Sequence, residues 1–215
     1  MSVQIIRNHP QETWRWFWPD TLLRLVPFAA VSLIAAHFMG GSAAVGLTTP
    51  PQGWLAAGAL GVTIGLPMLA LAIFWRVRTA PRYRLPTGAD QALQSFFYLI
   101  LNAPIEELFW RGLLQTLAIR GFTAWGAGHA WGIALGVGGI SIIFGAYHRL
   151  GGYSWAFNVA AMLAGAVFGL LYVLSPGPSL VAVTIVHGLT TAGYLSWGDV
   201  ALHRLHMWRL RRRRS

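Results

Sequence analysis

Two uninterrupted apolar blocks, residues 21–40 and 54–75, limit what this chain can become more than any other feature. Each is long enough for the ~20 residues that span a hydrocarbon core. Similar blocks recur at approximately 91–119, 130–148, 155–174 and 179–198. Their apolar residues run continuously instead of alternating, so a half-exposed sheet is excluded. The expected fold is an all-α integral membrane protein, a bundle of about six transmembrane helices. Composition agrees: of 215 residues only 10% are charged, against roughly 25% in a soluble domain.

The polar segments between the blocks carry the topology. All sixteen basic residues are Arg, and six acids oppose them. Arg76, Arg78, Arg82 and Arg84 occupy one linker, Arg149 follows the fourth block, and Arg209 and Arg211–Arg214 close the chain. The linker with Thr48-Thr49-Pro50-Pro51 and the one with Ser175-Pro176-Gly177-Pro178 carry no charge. Because positive loops stay inside, both termini are expected to be cytoplasmic, with Arg120 as the one basic residue on the wrong side. This placement beside apolar blocks argues against a nucleic-acid partner, despite a pI near 11.4. The terminal arginines are expected to orient the chain and contact anionic lipid. Trp14, Trp16, Phe17 and Trp18 are expected to anchor the first span. Trp54, Trp75, Trp125, Trp131, Trp155 and Trp197 lie near span ends as an aromatic belt would. Gly61/Gly65, Gly132/Gly136 and Gly165/Gly169 read as close-packing pairs. The absence of Cys excludes disulfides and thiol catalysis.

The expected organisation is three regions. Residues 1–90 hold an interfacial segment and two spans, 91–198 a four-span core, and 199–215 a basic cytoplasmic tail.

Chemistry concentrates in the third block, where Glu106, Glu107 and Arg111 interrupt an apolar helix. At a helix centre each charge costs about 2.5–3.5 kcal/mol on insertion scales, so the cluster must be compensated. Glu107 and Arg111 stand at i and i+4, acid first, and can pair on one face. Glu106 points about 100° away from that face and is the candidate general base. Pro104 is expected to kink the helix or start a new segment just before it. His148 closes the fourth block and His187 lies in the sixth, each a possible partner for an intramembrane carboxylate. His9, His203 and His206 lie outside the spans, and His37 and His129 near span ends.

These residues fall into three motifs: Glu106-Glu107-x-x-x-Arg111, Phe144-x-x-x-His148 and His187-x-x-x-Thr191. Together they resemble the CPBP intramembrane proteases, which comprise type II CAAX prenyl endopeptidases and the Abi, or bacteriocin-processing, relatives. The resemblance covers roughly residues 91–198 and includes the flanks of the first motif, Ala103 to Leu114. It implies that Glu106 activates water, that His148 is its partner, and that His187 acts on the oxyanion side. Glu107 and Arg111 become supports. Thr191 departs from the pattern, which usually has Asn there. A Thr hydroxyl is shorter and often bonds back to the i−4 carbonyl, which weakens the expected oxyanion contact.

Glu106, His148 and His187 would also serve as a three-ligand zinc set. That assignment consumes Glu106 and leaves Glu107, the natural partner of Arg111, as base. A metal-free glutamate route is therefore favoured, with no other cofactor. The expected partners are the bilayer and a membrane-embedded or lipid-anchored peptide or protein substrate. A catalytically silent peptide-binding relative and a transporter or ion pathway are the alternatives, the latter because intramembrane acids and histidines also mark ion routes.

Overall fold

A computed structural model describes residues 4–7, 10–48, 51–79, 82–175 and 179–212. The breakers expected at Thr49-Pro50 and Pro176–Pro178, together with His9 and Arg213–Ser215, lie outside the described residues. Pro51 begins a helix. The fold is helical. Among the described residues, five helical runs are long and apolar enough to cross a bilayer: α1 (Glu12–Met39), α2 (Gly53–Thr79), α3 (Gly88–Gly151), α4 (Trp155–Leu174) and α5 (Leu180–Arg212). Two four-residue strands, β1 (Gln4–Arg7) and β2 (Arg82–Leu85), pair in parallel.

At 64 residues α3 is far longer than one crossing, since ~20 residues already span the hydrocarbon. It reverses at Gly126 (φ 91°) and Gly128 (φ 69°), left-handed conformations that glycine adopts without a Cβ penalty. The returning segment packs directly on the outgoing one. A Cβ at Gly136 would stand 3.0 Å from the Ile119 backbone nitrogen, and one at Gly132 3.2 Å from the Ile119 carbonyl oxygen. The expected Gly132/Gly136 pair thus seals this hairpin.

α3 also changes its winding around Pro104. Residues Phe97–Asn102 form a π-helix, closed by the Ala103 N–H donating to Tyr98 O, and an α-helical segment restarts at Ala103–Glu107. Proline offers no N–H and crowds the carbonyl four residues back, and a local π adjustment reroutes the displaced bonds. The expected kink is therefore a change of helix type within a continuous run.

The chain divides into two compact units. The first comprises Met1–Val26, Val62–Pro104 and Ile185–Ser215, and the second Pro27–Gly61 and Ile105–Thr184. In the first unit, Trp16 and Phe17 pack on Phe97 with ring centroids 5.1 Å away in each case. Trp14 and Trp18 are exposed, so only half of the expected aromatic anchor faces outward. Trp54, Trp75, Trp125, Trp131 and Trp155 are exposed, as a belt requires. Trp197 differs: it is half-buried and donates to Ser95 Oγ at 2.9 Å. The wrong-side Arg120 has a structural partner. Its guanidinium donates to Met39 O, at the end of α1, at 3.4 Å, where a cation complements the helix C-terminus.

Within the second unit the helix segment carrying Gly145 packs tightly on α4. A Cβ at Gly145 would stand 2.6 Å from Asn158 O and 2.8 Å from Met162 N, and would collide with the Met162 side chain. Two of these neighbours are backbone atoms that cannot rotate away. Gly145→Ala is therefore expected to destabilise by about 1–3 kcal/mol, the usual cost of overpacking. Gly138→Ala, which meets nothing within 4 Å, should behave as wild type. Thermal unfolding of the two purified variants in detergent checks this pair.

Candidate active site

Glu106, Glu107 and Arg111 are all buried in the second unit, the last two completely. Arg111 Nε stands 3.4 Å from Glu107 Oε2, as the i, i+4 spacing anticipated. Glu106 also acts electrostatically on Arg111, second to Glu107. The separation of the two acids is thus one of degree.

Arg111 has further supports. Its Nη2 donates to Gly165 O at 3.0 Å, and its guanidinium lies over the rings of Phe144 (4.6 Å) and Phe168 (5.5 Å). A desolvated cation over an aromatic face gains about 2 kcal/mol, which offsets part of the cost of burying it. One turn later the arrangement repeats: Gln115 Nε2 donates to Gly169 O at 3.0 Å. The Gly165/Gly169 pair therefore does more than allow close packing, because it opens two helix carbonyls to side chains of α3. Gly112 has a related role. A Cβ there would stand 2.7 Å from Val45 O, in the short Ser42–Val45 turn.

His148 starts a 3-10 turn at the end of α3, His148–Gly151, and Gly152 follows it in the left-handed conformation. Its Nδ1 lies 2.8 Å from Phe144 O. A carbonyl only accepts, so Nδ1 is the donor here, and in the neutral form of the ring Nε2 is then the acceptor. Phe144, Tyr153 and Phe157 surround the imidazole, with ring centroids 4.7, 5.9 and 5.6 Å away. Phe144 consequently touches both motifs. Its ring covers Arg111 on one side and meets His148 edge-on.

His187 and Thr191 belong to the first unit, one turn apart on α5. His187 is buried and Thr191 half-buried. Gly188 brings this helix against α3: a Cβ there would stand 3.2 Å from Leu99 Cα. The back-bond expected of Thr191 is made one residue earlier, by Thr190 Oγ1 to Val186 O at 2.7 Å. Thr191 makes no side-chain hydrogen bond with the described residues.

Gln115, Phe168 and the carbonyls of Gly165 and Gly169 escaped the reading of the sequence. A signal existed for Gln115, which continues the series Glu107, Arg111 at the same spacing of four. Nothing local to α4 marks its glycines as acceptors. Within neither unit do three or more described His, Asp or Glu side chains stand together as a metal site. The zinc set draws Glu106 and His148 from the second unit and His187 from the first.

Residues 88–193 match the family of type II CAAX prenyl endopeptidases described as Rce1-like. Over these residues the chain is a member of that family. The match spans all three motifs and supports a multi-pass membrane protease of the CAAX type. No curated protein and no solved structure matches the chain.

Proposed function

We propose that this CAAX-type protease is an intramembrane endopeptidase that cleaves membrane-embedded or lipid-anchored peptides, with Glu106 activating water. The observation that carries the reading is the bridge made by the buried Phe144 ring, which ties the Arg111 of the first motif to the half-buried His148 of the second. In this mechanism Glu106 takes a proton from water as the hydroxide adds to the scissile carbonyl carbon. The proton then passes to the leaving amine nitrogen as the C–N bond breaks. His148, with Nδ1 held by Phe144 O, accepts a hydrogen bond from the water at Nε2 and orients it toward the carbonyl carbon without taking up a proton. His187 and Thr191 are assigned to the oxyanion side on the family pattern. Glu107 and Arg111 keep the electrostatics of the helix balanced and do not touch the reacting atoms.

The substrate test is capture by a variant that binds without turning over. Glu106→Gln in the native membrane should retain a lipid-anchored or membrane-spanning protein that wild type releases. If the Glu106→Gln variant cleaves a captured protein or a farnesylated CAAX peptide at the wild-type rate, the glutamate mechanism fails. If wild type cleaves neither, the silent-relative alternative stands.

The same reading fixes an orientation. Arg-rich and Arg-free linkers nearly alternate, Arg120 being the exception, so both termini are assigned to the cytoplasm. Cys introduced at Thr87 and at Ser215 should be labelled only from the cytoplasmic side, and Cys at Thr48 only from outside. Labelling of Thr48 and Thr87 from one side would contradict it.

A further inference from the structure

Three of the four acids of the first unit, all but Glu12, are used internally. Asp20 pairs with Arg24 at 2.6 Å, Asp90 accepts from Thr13, and Asp199 accepts from Arg76 Nε at 2.6 Å and from the Arg84 backbone N–H at 3.0 Å. Its exposed arginines are thereby left as net positive charge. Asp199 also docks the start of the terminal helical segment, Gly198–Arg212, onto β2. Tyr83 adds a second tie, sharing a hydrogen bond of 3.0 Å with His203 Nδ1. Burial and then Asp199 raise the Tyr83 pKa, which keeps the phenol protonated.

The docked face of this segment carries Asp199 and Leu202, both buried, and His203. Arg204, Trp208, Arg211 and Arg212 stand at i, i+4, i+7 and i+8 on the opposite face, and all four are exposed. The Arg212 guanidinium lies 4.1 Å from the Trp208 ring centroid. An indole flanked by guanidiniums matches the headgroup region, where the ring sits at the interface and the cations meet phosphate.

We infer that the face formed by Arg204, Trp208, Arg211 and Arg212 is a binding surface for anionic phospholipid headgroups. It is more than an orientation signal, because orientation needs only positive charge near the span. Here the cations are spaced on one rigid helical face around a tryptophan. Zwitterionic lipid satisfies the indole but not the three guanidiniums.

The test uses the full chain in a neutral detergent, titrated with phosphatidylglycerol or phosphatidylcholine and read by native mass spectrometry. Wild type should retain phosphatidylglycerol preferentially. Each arginine near an anionic surface contributes a roughly five-fold gain, so Arg204→Gln/Arg211→Gln/Arg212→Gln should lower retention by up to about 100-fold. Arg149→Gln, which removes an exposed arginine of the other unit, should leave retention unchanged. Circular dichroism verifies that each variant is folded, and Trp208→Ala alone should weaken retention if the triple variant fails to fold. Equal retention of both lipids, an equal loss in Arg149→Gln, or displacement of the lipid by millimolar inorganic phosphate would overturn the inference.

Discussion

Glu107→Ala is expected to destabilise the folded protein by about 3–5 kcal/mol, because it leaves the Arg111 guanidinium buried beside no carboxylate of its own face. The pair is fully buried, with Arg111 Nε and Glu107 Oε2 3.4 Å apart. Arg111→Ala should cost a comparable amount, and more than pairing alone would suggest. It also removes the bond to Gly165 O and the stacking on Phe144. The double variant should recover part of the loss, since it removes both charges together. A double-mutant cycle of thermal stability in detergent reports that coupling, for which interacting neighbours give 0.5–3 kcal/mol in general. Rescue must be partial, because the contacts of Arg111 with Gly165 O and Phe144 are lost in both backgrounds. Additive losses would mean that the two residues do not act as a pair.

Glu106→Gln should have the opposite profile. The substitution keeps shape and hydrogen-bonding capacity but cannot accept a proton, so hydrolysis should fall by at least the ~10²–10⁴ that a general base contributes. Stability should stay close to wild type. Arg111 keeps Glu107 at 3.4 Å, so no uncompensated charge is created. Rates of peptide cleavage and unfolding midpoints, measured on one preparation, separate the two acids. Stability lost in Glu106→Gln and activity lost in Glu107→Ala with stability intact would reverse their assignment.

How much of this was visible beforehand follows from the range of the interactions involved. Continuous apolar blocks and a charge pair at i, i+4 are local facts, so the membrane fold and the Glu107–Arg111 pairing could be read from the chain. The Pro104 region shows the limit. A missing N–H predicts disruption, yet whether a helix bends or widens depends on what packs around it, and here it widened into a π-helix. The reversal at Gly126–Gly128 fell within the expected gap between blocks, but its exact site depends on which glycine takes positive φ. The third span's partners were hidden for another reason. Gly165 and Gly169 act through backbone carbonyls, which every residue has, and only the approach of α3 shows which are used. Hydropathy ends the last block at residue 198 with a tail beyond it, whereas helix continues to Arg212. Asp199 and His203 tie its start to β2, a contact spanning more than a hundred residues of sequence.

The most direct measurement is a single turnover of a farnesylated CAAX peptide by the purified protein in water enriched in ¹⁸O, with chelator present. If Glu106 activates water, the new product carboxylate carries one ¹⁸O from the first turnover and the Glu106 carboxylate carries none. An unlabelled product in that turnover, with label later found on Glu106, would mean that the side chain attacks the peptide itself, and would contradict the account.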